Sequence, residues 1–142
     1  MAFTQAKVDS LKAVAGELRT YVEGFNNQVS AFEDSLKVDL EGTAYHHVLS
    51  KGEADVDGYC LYSEMAWHFF RGPLPKGYEA GWHLTIRGFK AKDEDYGNES
   101  KYLEAWAEKL LLSSIENKES AIPQFDAFLD SFKIAIDSRL NK

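Results

Sequence analysis

The sequence has one cysteine, three prolines and no long hydrophobic run. A lone Cys60 excludes an internal disulfide and every zinc site built on cysteine pairs. The longest unbroken aliphatic run, residues 110–112, is far too short to cross a bilayer. The opening residues, MAFTQAKVDS, hold no apolar run of signal-peptide length. Positive charge is also scarce: 16 Lys and Arg stand against 23 Asp and Glu, for a net charge of −7. So acidic a chain lacks the basic face that phosphates of a nucleic acid or an anionic membrane would need. It suits a basic protein partner, or mimicry of a nucleic acid, or plain solubility. The expected setting is the reducing cytoplasm, with no membrane, no direct nucleic-acid contact and no cofactor.

Against these shortages stand 142 residues that are 44% hydrophobic and 13% aromatic. That is enough to bury a core without staples, and the expectation is one domain over residues 1–142. There is no internal repeat and no low-complexity tract.

Residues 4–37 carry the clearest pattern. Val8, Leu11, Ala15, Leu18, Val22, Phe25, Val29, Phe32 and Leu36 recur at alternating spacings of three and four. This spacing lines one stripe of a helix, with Thr4 as its cap. Such a helix is roughly 50 Å long, more than a small domain is wide. Part of the stripe therefore suits another chain, as in a coiled coil, unless it lies on the domain's own sheet. Gly24, followed by two asparagines, reads as a kink or a point of close backbone approach.

After Gly42, residues 43–50 (TAYHHVLS) read as a strand, and a second begins near Asp57. Residues 59–89 hold two of the three tryptophans, two of the four histidines and a PLP turn. Their period of two predicts a hairpin in which partner numbers sum to 151. Met65, Trp67, Phe69, Trp82, Leu84 and Ile86 then share one face, and Glu64, His68, His83 and Arg87 the other. Residues 90–100 read as a polar loop. Beyond it, Leu103, Trp106 and Leu110, then Phe125 to Leu140, keep helical spacing, with Ser120 as a cap and Pro123 in a first turn. The expected fold is α+β: a long N-terminal helix, a three-stranded antiparallel meander, and two C-terminal helices, or one bent near residue 120, packed on the sheet.

Chemistry is sparse. The polar hairpin face offers His47, Tyr62, Glu64, His68, His83 and Arg87 as ligand or metal contacts, or a histidine–carboxylate base. Alternatively it is a solvated sheet face with an ordinary ion pair. Cys60 is a nucleophile only if a histidine, with His47 the candidate, lowers its pKa; otherwise it is a packing residue. Asp93, Asp95 and Glu104 have calcium-loop spacing, but Asn98 fills the glycine place. His83-Leu84-Thr85 resembles one half of the two-histidine phosphoesterase signature. That family needs a second triplet, and HHVLS does not reproduce it. No phosphate loop and no G-x-S-x-G elbow is present. Phe70, Leu74 and Tyr78, around the proline turn, are candidate contacts for a protein partner.

The leading expectation is a non-catalytic cytoplasmic binding or regulatory protein, of inhibitor or adaptor type, that self-associates through its helices. The alternatives are a small enzyme or ligand- or metal-binding domain using the His/Glu/Arg face, and an acidic nucleic-acid mimic.

Overall fold

The computed structural model describes residues 2–71 and 80–141. Its first element, α1 (Gln5–Leu36), follows the apolar stripe and runs without a break past Gly16 and Gly24. No neighbour uses the space at Gly24: a Cβ there meets nothing within 4 Å. Thr4 occupies the cap position, but its side chain makes no capping bond. Its carbonyl instead accepts from the Lys7 and Val8 amides. The helix ends at a reversal in which Val38 and Gly42 both take positive φ.

Four strands follow: β1 (Tyr45–Lys51), β2 (Tyr59–Phe70), β3 (Gly81–Lys92) and β4 (Leu103–Lys109). They form one antiparallel sheet in the order β1-β2-β3-β4. The central hairpin has the register its hydrophobic pattern selects: Met65 pairs with Ile86, Trp67 with Leu84, Phe69 with Trp82, and His68 with His83.

The sheet has four strands and not three. Residues 103–109, expected to be helical, pair with β3, Gly88 lying opposite Trp106. The segment LEAWAEK is rich in helix formers, and pairing overrides that propensity. The reason lies in β3. A Cβ on Gly88 would come within 2.5 Å of Trp106 Nε1, so the glycine leaves the space that the indole fills. Glu104 has a positive φ, and the register shifts between Gly88 and Lys90, which marks a bulge there.

Two C-terminal helices complete the chain. α2 (Ile115–Ala121) is capped by Ser114, whose hydroxyl accepts from the Asn117 amide, and not by Ser120. Pro123 sits in a short 3-10 turn that separates α2 from α3 (Phe125–Leu140). One sheet face packs under the helices. Met65, Trp67, Leu84 and Ile86 meet Val29, Leu36, Leu110, Ala121, Phe128 and Phe132 in a continuous core. The Trp67 indole donates to the Leu40 carbonyl at 3.0 Å, tying the reversal after α1 to the sheet. β3 runs on past the end of β4, and the buried Glu33 of α1 accepts from the Leu84 amide there at 2.8 Å. That bond supplies the partner a missing strand would have supplied.

Among the described residues, no helix is long and apolar enough to cross a membrane.

Candidate functional site

The face away from the helices is not open. Residues 93–102 fold back across it. Tyr102 stacks on Phe89 with ring centroids 3.8 Å apart, and Tyr96 stacks on Tyr62. Cys60, Tyr62, Phe89 and Ala91 are buried beneath this cover. The expected polar loop, residues 90–100, and the two residues after it therefore hold two tyrosines, Tyr96 and Tyr102, that act as a lid on the sheet. Asp93 anchors its start: Lys51 pairs with it at 2.6 Å, and the Tyr62 hydroxyl donates to it at 2.7 Å. Burial and that bond push the Tyr62 hydroxyl up to about 12. The lysine and the tyrosine hold the Asp93 carboxyl below its ordinary value.

Beside this cover the polar residues converge. Glu64, alternating with Met65 and placed at the centre of β2, is almost fully buried at 1% exposure. Its carboxylate takes Arg87 Nε at 2.5 Å and the Tyr96 hydroxyl in a short hydrogen bond. Arg87 turns a second nitrogen to Glu99 at 2.8 Å. These two carboxylates raise the Arg87 pKa against the opposing effect of its burial, and Arg87 lowers that of Glu99. The carboxylate of Glu64 also raises the Tyr96 hydroxyl, after the larger effect of burial.

Two histidines border the cluster. His68 Nδ1 donates to the Phe69 carbonyl at 3.1 Å, so in the neutral ring Nε2 accepts from the Thr85 hydroxyl 2.9 Å away. His46 stacks against His68 with centroids 5.9 Å apart. Its buried Nδ1 makes no hydrogen bond and lies 3.9 Å from Glu64 Oε1. Burial lowers the pKa of both rings, and Arg87 lowers each further. His46, Glu64, Arg87, Tyr96, Glu99 and Tyr102 line a cavity of about 330 Å³.

The structure thus brings Tyr62, Glu64, His68 and Arg87 onto one face, as their alternation implies. His47 lies elsewhere. It pairs with Met65 on the helix side, where its Nε2 donates to Gln124 Oε1 at 3.2 Å and its ring meets Phe128. His46 takes the place on the polar face, because β1 pairs it with Ala66. His83 pairs with His68 in the sheet, but its Nδ1 lies 3.4 Å from Oε1 of Glu33 on α1. Cys60 has Asp93 as its neighbour, at 3.9 Å from Sγ, and not His47. Phe70 is buried, edge-on to His68, while Leu74 and Tyr78 lie outside the described residues. Residues 93, 95 and 104 do not wrap one centre: Asp93 binds Lys51, and Glu104 pairs with Lys90 from β4. Among the described residues, no group of three or more His, Cys, Asp and Glu side chains is placed to hold a metal ion. His46, Tyr96, Glu99 and Tyr102 escaped the sequence reading. The signal for two of them was a pair of tyrosines in an otherwise polar segment.

A second surface lies on α1. The helix buries only Val29, Glu33 and Leu36, all in its C-terminal half. Along the other half Leu11, Val14, Leu18 and Tyr21 are 68%, 57%, 50% and 51% exposed. Spaced three and four apart, they share one helix face. The chain matches no protein-family model, no curated protein and no solved structure, so its own side chains are the guide to its function.

Proposed function

We propose that this is a non-catalytic cytoplasmic binding protein of regulatory type, an inhibitor or adaptor, that associates with a second copy of itself through the N-terminal half of α1. The observation that carries the reading is the row of four large apolar side chains, each at least half exposed, on one face of that half-helix. An isolated helix of this length is marginal in water, and Gly16 weakens it further. A partner on the stripe supplies what the sheet does not.

Charge favours a second copy as that partner. The segment balances Lys7, Lys12 and Arg19 against Asp9, Glu17 and Glu23, in a chain whose net charge is −7. The segment is therefore close to neutral, and a second copy meets no net repulsion along it. Burying a Leu, Val or Tyr fully is worth about 1.5–3 kcal/mol. With about half of each side chain left to bury, eight side chains in two copies contribute roughly 6–12 kcal/mol, about 9 at the midpoint. Association costs at least ~4 kcal/mol, which leaves a reversible dimer in the micromolar to millimolar range.

Light scattering across a concentration series tests this. The wild type should rise above the 16.0 kDa monomer mass, and a Leu11→Asp/Leu18→Asp variant should stay there. Both positions are at least half exposed, so the variant keeps its fold. A wild type that remains monomeric up to millimolar concentration would sink the proposal.

Within this reading Cys60 is a buried packing thiol suited to a reducing compartment. The acidic balance disfavours nucleic-acid and anionic-membrane partners.

A further inference from the structure

We infer, resting on the self-association proposed above, that the second copy lies antiparallel along α1. A two-fold axis passes near the level of Gly16, and the two domains sit at opposite ends of the seam. Helix arithmetic supplies the first support. Eighteen residues make five full turns. Leu11, Val14 and Leu18 therefore point the same way as Val29, Phe32 and Leu36, each eighteen residues further on. The exposed row and the side that enters the core are one face of one unbroken helix.

That continuity excludes a parallel partner in register. Such a copy would have to set its Val29 and Leu36 against the same two residues here, and these are closed inside the core at 0% and 2% exposure. Its domain, carried on the same side of its helix, would fall where this domain already sits. A staggered parallel copy leaves part of each row uncovered and makes an interface that does not close. An antiparallel copy meets none of these obstacles. It follows the exposed row and carries its domain past the N-terminus of the first copy.

The spacing suits the reversed direction. Leu11, Val14, Leu18 and Tyr21 are separated by three, four and three residues, which reads the same from either end. With partner numbers summing to 32, Leu11 meets Tyr21 and Val14 meets Leu18. One isologous contact then pairs every member of the row. Charge agrees. Lys7 stands one turn before Leu11 on the same face, so parallel copies would set two ammonium groups against each other. In the antiparallel register Lys7 falls at the level of Phe25. There lie the edge-packed rings of Tyr21 and Phe25, and the Glu119 carboxylate to which the Tyr21 hydroxyl donates. Both the rings and the carboxylate favour a cation.

Pulsed electron paramagnetic resonance on the full chain tests the orientation. A nitroxide is attached at Gln5→Cys or at Ala13→Cys, both exposed and off the row, in a Cys60→Ser background. Serine keeps a donor toward Asp93, whose Oδ1 lies 3.9 Å from the Cys60 Sγ. In the antiparallel dimer the two residue-5 sites are offset along the axis by roughly 33 Å, and the two residue-13 sites by roughly 9 Å. In a parallel dimer the offset vanishes at both. The expected result is a label separation longer at residue 5 than at residue 13 by more than ~10 Å. Light scattering on the same samples separates this claim from the one it rests on. A dimer whose two separations differ by less overturns the orientation and leaves self-association standing. A chain that stays monomeric up to millimolar concentration overturns both.

Discussion

Replacing Gly88 by alanine asks whether Trp106 holds β4 to the sheet. An added methyl would lie 2.5 Å from Nε1, 2.7 Å from Cε2 and 2.8 Å from Cζ2 of the indole. Each separation is about 1 Å inside carbon contact distance, so the ring must lift. Trp106 is 46% exposed on an edge strand, which makes lifting possible without tearing the sheet. The cost therefore belongs with overpacking, about 1–3 kcal/mol. Glycine in a strand carries its own penalty of about 0.5–1 kcal/mol, which alanine removes. In a Trp106→Ala background the clash is absent, and Gly88→Ala should then be neutral or stabilising by about 0.5 kcal/mol. The two changes should couple by roughly 1.5–3 kcal/mol in a double-mutant cycle. Urea denaturation followed by far-ultraviolet circular dichroism reads all four chains of the cycle. Equal costs for Gly88→Ala in both backgrounds would refute the pairing of Gly88 with the indole.

Further outcomes follow from other contacts. Glu33→Ala leaves the buried Leu84 amide without its acceptor and should cost about 1–3 kcal/mol, while Glu33→Gln, which keeps an acceptor oxygen, should recover most of it in the same denaturation assay. Phe128→Ala empties the place where Phe32, Tyr45, His47 and Phe132 meet, and about 3–5 kcal/mol should be lost. Folding lowers the His46 and His68 pKa values, so the unfolded chain binds more protons below neutral pH. Their stabilising contribution is then complete above the ordinary imidazole value and is lost as pH falls from there toward the folded values. The melting temperature should drop between about pH 7 and pH 5, and a His46→Gln/His68→Gln variant should flatten that drop.

Where each face of the hairpin is apolar or polar without mixing, the sequence suffices to set register. A slip of one residue would bury His68 and His83 and expose Trp67 and Leu84, so the parity of the central pairing was legible. The fourth strand was not, because Leu103, Trp106 and Leu110 happen to keep helical spacing in a run of helix formers. What decides against a helix there is a glycine fifteen or more residues away in β3, and a local pattern contains no such distant partner. The two adjacent histidines posed a different difficulty. One must face the helices and the other the polar cluster, and only the β1–β2 register assigns them. That register includes a shift between Val48 and Ser50 that no residue type announces. The polar face was partly legible, through Glu64, His68 and Arg87. Its cover depends on Tyr96 and Tyr102 folding back over Phe89, a long-range stacking without a periodic signal. On α1 the helix was legible, but Val14 and Tyr21, two of the four exposed side chains, lie outside the stripe that the spacing picked out, and the core claims only the helix's C-terminal half.

Amide hydrogen exchange, resolved by residue and repeated over a range of protein concentrations, tests self-association most directly. Residues 5–21 bury no side chain in the monomer, where Tyr21 reaches α2 by a 3.4 Å hydrogen bond to Glu119, so a second copy is what should protect them. Their protection should rise with concentration, while that of the β2–β3 core stays constant. Protection of residues 5–21 that is the same at every concentration would contradict the account.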